Sequence, residues 1–150
     1  MLAVIRPDSW NLPLFLHVLG AILLFGTTAT VAIVGFAGRA QVEHTAMLAR
    51  IGLKTFLLGV IPGWILMRTG AAWIVDKEFP DKTPGWVDLG FVVSEPGALV
   101  LIVVGVLAWA ATRRQGGGRV ALVVPVLATI YLVALGIAWW AMSAKPGAWG

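Results

Sequence analysis

"LHVLGAILLFGTTAT", residues 16–30, holds one histidine and no formal charge, inside a run from Ser9 to Gly38 that is equally free of charge. A bilayer core about 30 Å thick is crossed by about 20 apolar residues in a helix, each adding about 1.5 Å. The run is long enough, so it predicts a transmembrane helix. Three further runs of this kind follow, and the four spans lie near residues 11–38, 50–75, 89–112 and 120–144.

Composition supports the same reading for the whole chain. Of its 150 residues 59% are hydrophobic and 12% charged, with a mean hydropathy of +0.92, whereas soluble domains carry about 25% charged residues. Too little polar surface remains to coat a water-facing globule. Barrel strands would show alternating segments of about ten residues, which are absent. The expected fold is all-α: one domain over 1–150, a four-span antiparallel up-down bundle of transmembrane helices with short connections. "MLAVIRPDSWN" makes a poor signal peptide, because its basic residue is followed by Pro and Asp and the apolar run after it is too long. The first helix is therefore expected to stay in the mature protein.

Net charge is +4, yet the basic residues are scattered between apolar runs with no basic stripe among aromatics, so no nucleic-acid partner is expected. They speak instead of topology. Arg39, Arg50, Lys54, Arg113, Arg114 and Arg119 flank the first and third connections with one acid, Glu43. Arg6, Arg68, Lys77, Lys82 and Lys145 lie at the other level among Asp8, Asp76, Glu78, Asp81, Asp88 and Glu95. The first set is expected to face the cytoplasm across the cell (inner) membrane, with both termini outside. Trp10, Trp73, Trp86, Trp140 and Trp149 mark the outer interface, and Trp109 the inner one. The polar stretch "VDKEFPDKTPGWVD", residues 75–88, is read as a solvated connection or a lid, and "RRQGGGR", 113–119, as a basic turn. Pro62 and Pro125, inside spans, each remove one backbone bond and predict a kink or local unwinding.

Counting rise from the span ends places His17 about 10 Å below the outer boundary, Met67 and Arg68 about 10–12 Å in, Glu95 about 9 Å in and Trp139 at a similar level. Intramembrane ionisable groups face the bundle interior or one another. Arg68 and Glu95 are thus expected to form an ion pair joining two helices. His17 shares its helix face with Pro13, Leu14, Gly20, Ala21 and Leu24, where small residues admit a flat macrocycle or a second helix. Three readings of His17 stay open: a haem ligand, a metal or proton-handling group, and a buried histidine bonded to protein. In the first, haem b is the cofactor, with His17, Met67 and Arg68 forming its layer. Met142 is an alternative axial partner, and Lys145 joins Arg68 near the propionates. Gly59 and Gly63, four apart, suggest close helix packing. Cysteine is absent, and no catalytic or dedicated metal-binding set is recognised. Enzymatic activity is left open, with the balance against it.

"LHVLGAILLFGTTAT", together with "AWWAMSAKPG" at the end of the last span, resembles a broad group of small four-helix membrane proteins. It includes an uncharacterised family of integral membrane proteins and, more distantly, the copper-resistance D type domain and the HemJ-type protoporphyrinogen oxidases. The matching residues are Leu16, His17, Val18, Leu19, Gly20, Lys145 and Pro146. Resemblance to the HemJ type implies haem at His17, but the lysine of a later helix has no counterpart within the third span, and Lys54 is not equivalently placed. The periplasmic histidine and methionine array of copper transport is missing too. The uncharacterised family, which brings no assigned chemistry, matches best.

Three functions follow as expectations. The first is an accessory subunit packing laterally in a respiratory, photosynthetic or transport complex, with the bilayer and membrane proteins or its own copies as partners. The second is a haem-binding redox or haem-synthesis protein built on His17, and the third a small transporter or channel using Arg68 and Glu95.

Overall fold

Apolar runs rich in Ala, Leu and Val bond their own amides as helices, and the lengths of the runs set the lengths of the rods. A computed structural model of the chain describes residues 8–79, 81–113 and 119–144, and only the backbone of Val42. Arg6, Arg114, Lys145, Pro146 and Trp149, used above for topology and resemblance, lie outside the described residues. Among the described residues there is no strand, and five helical segments carry the fold: α1 Asn11–Ala40, α2 Thr45–Thr55, α3 Ile61–Glu78, α4 Gly85–Arg113 and α5 Val120–Ala144. A π turn, Phe56–Val60, makes α2 and α3 one rod. Four helices are thereby long and apolar enough to cross a membrane: Asp8–Ala40, Thr45–Glu78, Gly85–Arg113 and Val120–Ala144.

The second rod begins at Thr45 and the third at Gly85, several residues before their apolar runs. Hydropathy marks where a helix is greasy, whereas amide bonding continues through its polar ends. The 75–88 stretch shrinks accordingly to a connection between Glu78 and Gly85. Its ends are tied by an edge-to-face contact of Phe79 with Trp86 and by a Thr83 hydroxyl that donates to Asp88 Oδ1 at 2.5 Å. The Val87 and Asp88 amides both donate to Pro84 O.

Pro62 has no N–H for the Leu58 carbonyl, and the rod accommodates it by widening: Ile61 N–H reaches back five residues to Phe56 O. The local unwinding expected at this proline takes the form of a π turn. Pro125, by contrast, lies buried in an unbroken α5 with its ring against Gly35. A third proline, Pro96, sits inside α4 next to Glu95.

Helices α1 and α3 approach one another main chain to main chain. A Cβ added to Gly20 would fall onto the Met67 amide; one on Gly63 would lie 2.7 Å from Leu24 N, and one on Gly70 2.7 Å from Pro13 O. The Gly59 and Gly63 spacing noted in the sequence lies on this line, with Gly59 against Thr27. Helices 1 and 5 meet through Gly35 with Pro125 and Phe25 with Trp139. Helices 4 and 5 meet through Gly90 with Met142 and Gly97 with Tyr131, and Phe56 of the π turn fills the space over Gly105 of α4. Leu24, Val31, Val60, Val104 and Ala128 are the most enclosed apolar side chains at the centre. The end of α1 is tied to the start of α2 by the Thr45 hydroxyl, which donates to Gly38 O at 2.9 Å. This bond occupies one of the carbonyls that a helix C-terminus leaves unpaired.

Candidate functional site at the His17 and Arg68 level

His17 is held against α3 by the same glycines that draw the two helices together. Its Nδ1 lies 3.0 Å from Met67 O, on a half-buried side chain. A carbonyl only accepts, so Nδ1 carries a proton and donates. The helix face beside Gly20, wide enough on paper for a flat ring, is filled by the α3 backbone at Met67. The methionine meets the histidine through its main-chain carbonyl.

Arg68 follows Met67 by one residue and therefore points about 100° away around α3. Its Nη2 lies 2.7 Å from Glu95 Oε1 on α4, and its guanidinium stands 4.5 Å over the Phe91 ring. One turn earlier on α3, Trp64 Nε1 donates to Ser94 O at 3.1 Å. Helices 3 and 4 are thus linked by long side chains, not by close backbone contact. Of this ion pair, the one among the described residues, the arginine side chain is 25% exposed and the glutamate 59%.

The structure therefore brings His17 to the Met67 carbonyl and Arg68 to Glu95. Trp139 leaves the layer altogether: its ring meets Phe25, 6.2 Å between centroids, two turns from His17 along α1. Helix α5 ends at Ala144, where its apolar run ends, so counting rise along each helix separately leaves out how the helices are set lengthwise against one another. Phe91, Trp64 and Ser94 join the linkage unannounced by sequence spacing. The triplet Ser94-Glu95-Pro96 was the available signal, three polar or helix-breaking residues together in an apolar run. Among the described residues no group of three or more His, Cys, Asp or Glu is placed to hold a metal ion.

At the opposite end of the helices a cavity of about 40 Å³ lies between α1, α2, α4 and α5, lined by Val31, Gly35, Gly52, Ala108, Ala111 and Val124 among others. Its lining side chains are apolar apart from Thr45. Arg39, Arg50, Lys54, Arg113 and Arg119 belong to this end and are exposed, and the Arg113 guanidinium stands 5.0 Å over the Trp109 ring. At the His17 end, Lys77 Nζ donates to Ser9 O at 3.3 Å and stands 5.6 Å over the Trp73 ring. Comparison of the chain with models of protein families, with curated proteins and with solved structures gives no match.

Proposed function

We propose that this chain is an antiparallel up-down bundle inserted in the cell's inner membrane, both termini outside, that serves as an accessory subunit by packing laterally against a larger membrane complex. The insertion is supported by the four helices of bilayer length and apolar composition, and the orientation by the gathering of basic residues at the cavity end.

The observation that carries the lateral role is the exposed Arg68–Glu95 pair. Helix α4 of 29 residues is about 43 Å long, and centring it on a core of about 30 Å puts Glu95 about 8 Å inside the hydrocarbon. A carboxylate 59% exposed there is costly against lipid chains, and a neighbouring helix bearing polar groups offsets that cost. The pair is neutral as a whole and lies on the outside of the bundle, as a polar contact with a partner requires.

Extraction in a mild detergent followed by native mass measurement tests the proposal. The wild-type chain is expected to carry a stoichiometric membrane protein or a second copy. The doubly neutral variant Arg68→Ala/Glu95→Ala should lose it while keeping its helix content by circular dichroism. A wild-type protein that runs as a free monomer overturns the proposal.

A further inference from the structure

Two buried hydroxyls have no hydrogen-bond partner among the described residues: Thr28 Oγ1 and Tyr131 OH. Their residues are 1% and 2% exposed. A hydroxyl enclosed in apolar surroundings without a partner is costly, and native interiors leave few such groups. Thr27, Thr30 and Thr129 show the ordinary solution, each donating to the carbonyl four residues earlier. Thr28 and Tyr131 do not take it.

Spacing along the helices puts the two at a similar level of the bundle. Leu24, Thr28 and Val31 form a single stripe of α1 at helical spacing, and Leu24 and Val31 are in the same packed cluster as Tyr131. Phe25 meets Trp139 and Gly35 meets Pro125, so interpolation puts about residues 132–135 of α5 opposite Thr28, within about a turn of Tyr131. Gly97 of α4 clears the surface on which the tyrosine ring rests, since a Cβ there would lie 3.0 Å from the hydroxyl oxygen. The next turns beside the two hydroxyls carry Ala32 and Ala128, both buried and small. All of this lies near the middle of the helices, beside the π turn, whose Gly59 touches Thr27.

We propose that Thr28 Oγ1 and Tyr131 OH are the protein ligands of one buried water, which joins α1 to α5 at the centre of the bundle. A single water both donates and accepts, so one molecule satisfies two hydroxyls on facing helices. The surroundings select a neutral guest, because the buried polar residues among those described, Thr28 and Ser94, carry no charge and an ion there would have no countercharge. The site is separate from the Arg68–Glu95 pair and does not depend on a lateral partner.

Tyr131 is the chain's one tyrosine, so a tyrosine-selective measurement reports this site alone. In a nanodisc sample with labelled tyrosine, the ring protons next to the hydroxyl should show a magnetisation-transfer peak to water. The Raman Fermi doublet should have the intensity ratio of a hydrogen-bonded phenol. Thr28→Val should remove the water peak and shift the doublet, whereas Thr28→Ser keeps both. In thermal unfolding, Thr28→Val and Tyr131→Phe should each lower Tm by a few degrees and the double variant by no more than either. Absence of the water peak in the wild type, including a bonded phenol without one, overturns the proposal. So do single variants that raise Tm or whose effects simply add.

Discussion

At His17 a costly residue is made tolerable by one bond to a backbone oxygen. Substitution His17→Ala should cost about 1 kcal/mol, the net worth of an ordinary hydrogen bond, in reversible unfolding from detergent. The glycines facing it matter more. Gly20→Ala places a methyl group on the Met67 amide, where no side chain can swing aside, and the expected loss is about 3 kcal/mol or more. Gly26 has nothing within 4 Å of a Cβ position, so Gly26→Ala should be neutral or gain up to about 1 kcal/mol in helix propensity. The small residues around His17 were readable in the sequence as a close approach of a second helix. Direction around the helix was not. Whether α3 would offer the thioether or the carbonyl of Met67 depends on a rotation that depth arithmetic does not contain.

Elements are joined here by two different means, backbone contact between α1 and α3 and side-chain reach between α3 and α4. The second should be the weaker. Arg68→Ala and Glu95→Ala should show a coupling of about 1 kcal/mol in a double-mutant cycle, as for partly exposed pairs elsewhere. Spin labels at the exposed positions Thr69 and Val92 should report a broader α3–α4 distance in either variant. Run length and charge made the four rods and the partnership of Arg68 with Glu95 readable. The prolines were only partly so. Pro62 announces a missing amide, but whether the rod kinks or widens is settled by its neighbours, here by Phe56 seated over Gly105 and Gly59 pressed on Thr27. Thr28 and Tyr131 gave still less warning, since a lone hydroxyl in an apolar run reads as one more helical residue until the opposite helix is known.

Across the whole molecule, the two ends differ in packing as well as in charge. Four helical segments leave about 40 Å³ unfilled at the basic end, while the His17 end is closed by glycine contacts. Gly52 lines that cavity, and a Cβ there would meet only Val34 Cγ1 at 3.9 Å. Gly52→Ala should therefore raise stability by about 1 kcal/mol, through filled space and improved helix propensity, as a rise in the unfolding midpoint. The four helices long and apolar enough to cross a membrane correspond to the four apolar runs; the cavity depends on which small residues meet across helices, which one-dimensional spacing does not give.

The glycine contact between α1 and α3 has a consequence in time. Two helices touching main chain to main chain have few rotamers to exchange, so there is little motion by which solvent deuterium gains entry. Amides of α1 from Leu14 to Thr28 and of α3 from Gly63 to Gly70 should be the last to exchange. Those of α4 and α5, held through a methionine tip and a tyrosine ring, should exchange earlier, dividing one bundle into a slow half and a fast half.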